Sequence, residues 1–475
     1  MQSAAKGMKN SSADLRSFLF MLQNENDLVY VNRDVNTEYE IAAVTAKLDG
    51  RHAVLFEKVK ESKSRVICNV VGTPKRFYLA LGGATHHQFI ESDIKKNIHM
   101  RVKEALNNLS EPVRSQEGVL FQENSTRSLY DLPIVTHFEK DAGPFITSSI
   151  VFSENQENGK QNQSTHRLLR LDDRHMAIRM VEGRHLHKCF SYAKEHGEDL
   201  KIAIGIGVHP AINIAAAYQA AYGLDEMMIA NSLLGGNLVL SKTDYSQLYV
   251  PRDVEIVLEG RILNDKTHEE WMVEMLRTYD FKRKQPVFEL ERIMFRDDAI
   301  YHDILPGYSE HRLLMGLPVE AKMFDYIKNV VPTTQSVHLT DGGSNWLSAV
   351  IQLKKRLEGE PKNALLAAFS AHPSLKMAIV VDDDINPTDP VAVEYALVTR
   401  CQADRDFIII GDAKGSSLDP SSDQDNLLTT KLGIDATATL MKERERFEIA
   451  KIPGIEKIDL SDYLSTDKRL NNLTS

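Results

Sequence analysis

The chain has 475 residues, of which 42% are hydrophobic and 26% charged, and its formal net charge is −10. A chain of this length is expected to fold as two or three domains, and its acidic balance argues against nucleic acid as the main partner. The three cysteines fit neither a disulfide framework nor a zinc site, and no export signal or run of about twenty apolar residues stands out, so a cytoplasmic protein without a membrane span is expected.

The N-terminal part of the chain, residues 1–118, is predicted to be an α/β domain. Asp14 is placed to cap an amphipathic helix that begins directly after it. Residues 53–57 and 66–71 have the short apolar pattern of strands, and residues 94–109 have the pattern of a helix.

The middle of the chain, residues 119–316, is rich in short strand candidates separated by polar residues, which is typical of a barrel or folded sheet. The candidates are residues 132–135, 145–152, 175–180, 202–206 and 255–259. The polar segment 155–161 predicts a hairpin or loop, so Asn162 is expected at the start of the strand that leaves it.

Residues 317–441 return to alternating helices and strands and predict a doubly wound α/β domain. Residues 377–381 and 407–410 are continuous apolar runs, which are typical of buried parallel strands. Residues 442–475 form a charged tail with a predicted helix and a loose end.

Asn162, His185 and Glu226 supply an amide oxygen, an imidazole nitrogen and a carboxylate. This mixed set suits a divalent ion of the Mg or Mn type that bridges to a phosphate. Taken singly, each residue also has an ordinary structural explanation: a turn residue, a satisfied core histidine and a solvated helix face.

The motifs that contain these residues resemble those of the UbiD family of reversible decarboxylases. They follow the family's order along most of the chain, at residues 162–167, 250–260, 295–302, 381–387 and 431–437. The resemblance implies an α/β protein with an N-terminal α/β domain, a central split β-barrel like that of flavin reductases, and a C-terminal doubly wound α/β domain. Residues 310–316 look most similar to the branch that acts on five-membered heteroaromatic acids such as pyrrole or furan carboxylates.

The resemblance implies a non-oxidative decarboxylation of an aromatic, heteroaromatic or α,β-unsaturated acid, with CO₂ as the second product. Loss of CO₂ from such an acid leaves electrons that protein side chains cannot delocalise, so a cofactor must accept them. In this family the cofactor is prenylated FMN, made by a flavin prenyltransferase. Mn²⁺ or Mg²⁺ on Asn162, His185 and Glu226 is expected to hold its phosphate, with K⁺ as a further candidate ion.

The same resemblance implies further contacts to the cofactor, from Ser164, Thr165 and Arg184, and a second positive charge for the phosphate from Lys431. Arg167 is expected against the flavin and the substrate carboxylate, because a guanidinium can grip a carboxylate through two parallel hydrogen bonds. Other arginines nearby have no counterpart in the motif and are expected at the surface; they are Arg170, Arg174 and Arg179.

Return of a proton to the product requires an acid that is protonated at the right moment, and a carboxyl group near a second carboxylate in a poorly solvated pocket suits this role. The family has a glutamate pair five residues apart, which is best matched by Glu269 and Glu274. The family's intervening Gly-Pro-aromatic-Gly is absent here, so Glu270 is a rival to Glu269. A solvated helix with Glu270 and Glu274 one turn apart is the structural alternative.

Three residues fall where family members line the pocket opposite the flavin, namely His302, His311 and Arg312. They are candidates for contact with the ring or a second polar group of the substrate. Core packing beside a buried turn explains them equally well.

Two other function classes stay open at this point. The chain could be a non-catalytic UbiD-like subunit of a larger carboxylase complex, which the altered segment 270–273 favours, or a plain flavin-binding oxidoreductase, which the barrel alone favours. The resemblance also implies a homo-oligomer, a dimer or a hexamer, to which the C-terminal tail contributes contacts.

Overall fold

The computed structural model describes residues 13–83, 91–115, 124–218 and 224–464. Its helices are α1 (Leu15–Asn24), α2 (Glu40–Lys47), α3 (Pro74–Ala80), α4 (Glu91–Asn107), α5 (His185–Glu195), α6 (Pro210–Ala217), α7 (Glu226–Leu233), α8 (Ser309–Val330), α9 (Glu360–Ala371) and α10 (Pro390–Arg400). Its strands are β1 (Leu28–Val31), β2 (Ala53–Phe56), β3 (Arg65–Cys68), β4 (Val113–Ser115), β5 (Ser125–Thr126), β6 (Phe145–Asn155), β7 (Lys160–Arg170), β8 (His175–Ile178), β9 (Leu200–Ile206), β10 (Val239–Lys242), β11 (Tyr249–Pro251), β12 (Ile256–Glu270), β13 (Arg283–Phe295), β14 (Ile300–His302), β15 (Thr334–Leu339), β16 (Ser348–Leu353), β17 (Met377–Asp382), β18 (Phe407–Lys414) and β19 (Leu428–Ala436).

The N-terminal part is built on a four-stranded sheet of order β1-β2-β3-β14. The predicted first helix is confirmed as α1, and the Asp14 side chain caps it by accepting a hydrogen bond from the Ser17 amide at 2.9 Å. Because β14 follows the last barrel strand in the sequence, this sheet joins the first and middle parts of the chain. A small second sheet, β11-β10-β4, adds another such connection.

The middle part is a closed barrel of six antiparallel strands, in the order β12-β9-β6-β7-β8-β13, with β13 pairing back to β12. This confirms the predicted barrel. The predicted hairpin is the β6–β7 turn, and Asn162 is paired with Ser153 near the start of β7. The strand predicted at 132–135 is wrong, because only Val135 makes a single bridge there.

The C-terminal part is a five-stranded sheet of order β15-β16-β17-β19-β18. Its three central strands are parallel, and helices cover both faces: α8 and α9 pack on one face and α10 on the other. This agrees with the predicted doubly wound domain. The prediction for 407–410 was wrong, because β18 is an antiparallel edge strand on which Ile409 is 71% exposed.

The predicted domain boundaries stay predictions, and two of them can be located against these elements. The division at 316/317 falls inside the continuous helix α8, and the division at 118/119 lies outside the described residues. In the described part of the tail, residues 442–464, the predicted helix is replaced by three short 3₁₀ turns without buried side chains. None of the described helices is long and apolar enough to cross a membrane.

Barrel closure depends on an irregular point between β12 and β13. The register shifts there, because Glu259 is opposite Arg292 whereas Gly260 is opposite Leu290. A Cβ atom on Gly260 would lie 2.1 Å from the Glu289 carbonyl oxygen, so only glycine allows the two backbones to approach this closely.

We therefore expect Gly260→Ala to lower the free energy of unfolding by about 1–3 kcal/mol, because the added methyl group overpacks the seam that closes the barrel. Chemical denaturation followed by circular dichroism measures this change. Gly411→Ala is the matched control, since a Cβ there meets no atom within 4 Å. Equal stability of the two variants would contradict the argument.

Candidate functional site

A cavity of about 530 Å³ lies where the barrel meets the helices that follow it and the loops of the C-terminal sheet. Its wall includes residues of β7, α6, α8, the segment between β12 and β13, and three C-terminal loops. Apolar side chains such as Leu314 and Trp346 alternate with charged ones such as Arg167 and Glu274. The middle and C-terminal parts of the chain therefore both contribute to one site.

His185 and Glu226 line one side of this cavity, and Asn162 lies next to His185 just beyond its wall. His185 Nδ1 lies 3.0 Å from Asn162 Oδ1 and 3.5 Å from Glu226 Oε1. The three residues come from different elements: β7, the first residue of α5 and the first residue of α7. Two oxygens and a nitrogen within this distance form a donor set that fits a hard divalent cation, and the buried carboxylate supplies the negative charge.

Hydrogen bonds fix the orientation of the Glu226 and Asn162 side chains. The Gln163 amide donates to Glu226 Oε2 at 3.2 Å, and Asp225 caps α7 by accepting from the Met227 amide. Burial raises the pKa of Asp225 to about 6, and the adjacent charge of Glu226 adds to this effect. Asn162 Nδ2 donates to Ser164 Oγ at 3.2 Å, which leaves the Asn162 oxygen directed to His185.

His166 extends this network to the next strand. Its Nε2 lies 2.8 Å from Ser164 Oγ, and its Nδ1 lies 2.8 Å from the Arg179 carbonyl oxygen. Burial lowers the pKa of His166 to about 4, so the ring is neutral near pH 7. A neutral ring can donate from Nδ1 to the carbonyl and accept from Ser164 at Nε2.

Arg167 lies in the cavity wall at the centre of a group of carboxylates. Its Nε and Nη2 donate to the two oxygens of Glu270 at 3.0 and 2.9 Å, its Nη1 donates to Glu274, and Nη2 also donates to Asp280 at 3.2 Å. Burial opposes the charge of Arg167, but the three carboxylates outweigh it and raise its pKa. Arg167 therefore stays charged, and its orientation is fixed by these bonds.

The predicted partner Glu269 requires a correction. Glu269 and Glu270 are adjacent at the end of β12 and so point to opposite sides of the strand. Glu270 is fully buried and pairs with Arg167, whereas Glu269 is exposed. The carboxylates that face Arg167 are therefore those of the rival Glu270 and of Glu274, and neither belongs to a solvated helix.

Arg179 was missed, since the sequence suggested a surface position. It lines the cavity, and its amide donates to the Arg167 carbonyl oxygen at 3.0 Å. A signal was present in the sequence: counting outward from Asp173, the middle of a three-residue turn at 172–174, places residues 167 and 179 opposite each other in a hairpin.

The other predicted residues divide into two groups. Several line the cavity as expected, namely Ser164, Thr165, Arg184 and His311. The remaining three do not line it. His302 is buried beside Glu310, Arg312 donates to the Asp341 carbonyl, and Lys431 donates to the carbonyls of Pro373 and Leu375 at 2.7 and 2.6 Å.

Comparison with known proteins identifies the family of the chain. Residues 19–92, 108–309 and 312–436 match the N-terminal, Rift-related and C-terminal domains of 3-octaprenyl-4-hydroxybenzoate carboxy-lyase, UbiD. Anhydromevalonate phosphate decarboxylase of Methanothermobacter thermautotrophicus is 40% identical over 91% of this chain and 99% of its own.

Two solved structures are similar over almost the whole chain. The UbiD-class enzyme HmfF of Pelotomaculum thermopropionicum, in complex with FMN, has a TM-score of 0.90 and 37% identity over 95% of this chain and all of that one. An evolved dimeric form of HmfF in complex with prenylated FMN has a TM-score of 0.86 and 35% identity over the same shares. The chain belongs to the UbiD family of carboxy-lyases.

Proposed function

We propose that this UbiD-family decarboxylase acts on anhydromevalonate phosphate. The observation that carries the proposal is the pair of Arg167 and Glu274 in the cavity wall, with Glu270 buried behind it, in a chain that is similar over its length to a decarboxylase of that name. The name describes a mevalonate that has lost water and carries a phosphate, which is an unsaturated acid with a second anionic group. This substrate falls within the α,β-unsaturated acids that the sequence already suggested.

Asn162, His185 and Glu226 would hold the divalent cation that binds the cofactor phosphate, because their donors converge and fit such an ion. Ser164, Thr165 and Arg184 line the same cavity and would contact the cofactor. Prenylated FMN, when bound, would supply the electron sink that loss of CO₂ requires.

Arg167 acts mainly as an orienting residue in this proposal. A guanidinium has five N–H donors, and four of the Arg167 donors point to carboxylates. The expected grip of the substrate carboxylate through two hydrogen bonds is therefore not available while these bonds persist. One Nη1 hydrogen remains for the substrate.

Glu274 is the proposed proton donor to the product. It lines the cavity, whereas Glu270 is buried behind it and holds Arg167 with both oxygens. Glu274 is also partly exposed, with 20% of its side chain accessible, so it can exchange protons with solvent between turnovers.

A five-membered heteroaromatic acid is the second candidate substrate. It is favoured by the segment 310–316 and by His311, whose ring faces the cavity and whose Nδ1 accepts from the Gly307 amide at 3.1 Å. Burial lowers the pKa of His311, so it would present a neutral ring to such a substrate.

The rival classes are less well supported. A non-catalytic subunit has no need of a buried arginine with three carboxylates at a cavity, and a plain oxidoreductase has no need of a carboxyl donor there. We further propose that a flavin prenyltransferase supplies the cofactor and that the chain forms a homo-oligomer with tail contacts.

We expect His185→Ala and Glu226→Ala to fold but to bind much less metal and flavin, because each removes one ligand without disturbing the barrel core. Metal analysis and flavin absorbance of the purified proteins measure this. His187→Ala is the control, since His187 is on the same helix but does not line the cavity. Full metal and flavin content in both ligand variants would remove the metal assignment.

Glu274→Gln should lower turnover by roughly two to four powers of ten, because an amide keeps the shape but cannot deliver a proton. Glu270→Gln should also lower it, because Arg167 loses its two-oxygen partner. Glu269→Gln, the exposed neighbour, should retain normal turnover. The reverse result, an inactive Glu269→Gln and an active Glu270→Gln, would show that the acid pair is misassigned. CO₂ release and deuterium exchange from solvent into the product provide the measurements.

The substrate proposal is tested with flavin-loaded protein. Anhydromevalonate phosphate should release CO₂ and yield an alkenyl phosphate one carbon shorter, which mass spectrometry detects. Pyrrole-2-carboxylate and furan-2,5-dicarboxylate are assayed beside it. Turnover of a heteroaromatic acid alone would reject the phosphorylated substrate in favour of the second candidate.

A further inference from the structure

The proposed proton donor lies on a short closed loop, residues 271–280, which we call the acid loop. The loop leaves the barrel at the end of β12 and returns to β13. A bridge between Val273 and Tyr279 closes it, and the Glu274 amide donates to the Thr278 carbonyl oxygen at 2.9 Å. The Glu274 side chain lines the cavity, so its position there depends on what holds the loop.

Residues 138–142, which we call the brace, are hydrogen-bonded to the acid loop at both of its ends. The Ala142 amide donates to the Trp271 carbonyl oxygen at 3.0 Å, and Trp271 Nε1 donates to the Lys140 carbonyl oxygen at 2.7 Å. At the other end of the loop, the Tyr279 hydroxyl accepts from the Lys140 amide at 3.2 Å. The brace and the acid loop are therefore attached to each other on both sides of the proton donor.

Asp141 supplies the brace contact that is nearest to Glu274 in the sequence. Its Oδ1 accepts from the Val273 amide at 3.0 Å, and its Oδ2 accepts from the Phe138 amide at 3.1 Å. Val273 is only 2% exposed, so its amide needs a partner within the protein. A single carboxylate that bonds one amide of the brace and one amide of the loop fixes the distance between the two segments.

The Asp141 carboxylate occupies a place where burial disfavours its charge. Burial raises the pKa of Asp141, although the hydrogen bond from the Val273 amide and the nearby His137 oppose this rise. A buried carboxylate is costly unless it is hydrogen-bonded, and here its two bonds go to the amides that place the loop. In the described part of the chain the cavity wall does not include Asp141, so this residue would influence the reaction only through the acid loop.

The ion pair between Glu274 and Arg167 does not replace this attachment. Glu274 must be protonated when it donates, and a neutral carboxyl group accepts a hydrogen bond from a guanidinium more weakly than a carboxylate does. In the protonated state, the position of Glu274 therefore depends mainly on the backbone of the acid loop.

We propose that Asp141 is a positioning residue, which acts through the Val273 backbone to place the Glu274 carboxyl group within reach of the carbon that loses CO₂. The inference rests on the proposed function for the role of Glu274. Proton transfer requires the donor and acceptor atoms to approach to about 2.6–3.2 Å. A displacement of about 1 Å can lower the rate on the order of 100-fold, so the attachment of the loop bears directly on turnover.

The first test measures CO₂ release by flavin-loaded Asp141→Ala, with the acid that the unmodified protein decarboxylates. We expect kcat to fall on the order of 10- to 100-fold, because the proton donor is displaced. KM should stay within about threefold, because Asp141 does not line the cavity. Glu139→Ala is the matched control: Glu139 is an exposed carboxylate of the same brace, and within the described residues it has no hydrogen bond to the acid loop, so both constants should be unchanged.

The second test repeats Asp141→Ala in the Glu274→Gln background. If Asp141 acts through Glu274, the added substitution should lower the residual kcat by no more than about twofold, because the donor that it positions is already gone. A residue with a merely structural role would lower kcat by the same factor in both backgrounds.

Hydrogen–deuterium exchange measures the attachment itself and needs no flavin. Peptides from the acid loop should exchange on the order of tenfold faster in Asp141→Ala and at the unmodified rate in Glu139→Ala. If Asp141→Ala fails to fold by circular dichroism, Asp141→Asn replaces it. Asparagine keeps one oxygen acceptor but replaces the other with an N–H donor, so at least about a threefold loss of kcat at unchanged KM is expected.

A loss of kcat that disappears in the Glu274→Gln background would support the proposal. Unchanged kcat despite faster exchange of the acid loop would overturn it, and so would an equal loss in both backgrounds. Full turnover by Glu274→Gln would reject the proton donor and with it this role of Asp141. A strongly impaired Glu274→Gln beside a fully active Asp141→Ala would reject only the role of Asp141.

Discussion

The charge of Arg167 is the constraint on which the site depends. A buried guanidinium is stable only if its partners remain, and loss of one partner of a buried ion pair typically costs about 3–5 kcal/mol. Those partners come from the end of β12 and the segment that follows it, whereas Arg167 is on β7, and the two strands are not neighbours in the barrel. These ion pairs therefore connect separate walls of the barrel. The positions of Glu270 and Glu274 relative to Arg167 follow from the way the barrel closes.

The same strand sets the distance between the two halves of the site. β7 carries Asn162 near its start and Arg167 near its end. One rigid strand therefore fixes the distance between the proposed metal site and the carboxylates around Arg167. His185 and Glu226 complete the first half from the first positions of two helices, where the capped start of α7 orients the carboxylate. Strands and the first turns of helices are well suited to positioning site residues, because regular hydrogen bonds fix their backbones.

The sequence predicted what depends on local patterns or on residue type. The α1 cap, the β6–β7 hairpin and the barrel were accessible in this way, whereas the grouping of Asn162, His185 and Glu226 was expected only from the resemblance to the family. The choice between Glu269 and Glu270 was not, because adjacent strand residues face opposite sides and only the pairing partner shows which side is the cavity. β18 was misjudged for a related reason: an apolar run does not reveal whether its strand lies at the edge of a sheet.

Lys431 shows how the C-terminal sheet takes part in the site without supplying charge to it. Its ammonium group donates to the carbonyls of Pro373 and Leu375, and the residue between them, Ser374, lines the cavity. Burial lowers the pKa of Lys431 to about 8, because the charged form is poorly solvated there. The two hydrogen bonds to carbonyl oxygens stabilise that charged form. A lysine held in this way would lose both bonds by turning to a phosphate. In this arrangement the barrel supplies the charges of the cavity, and the C-terminal loops supply its shape.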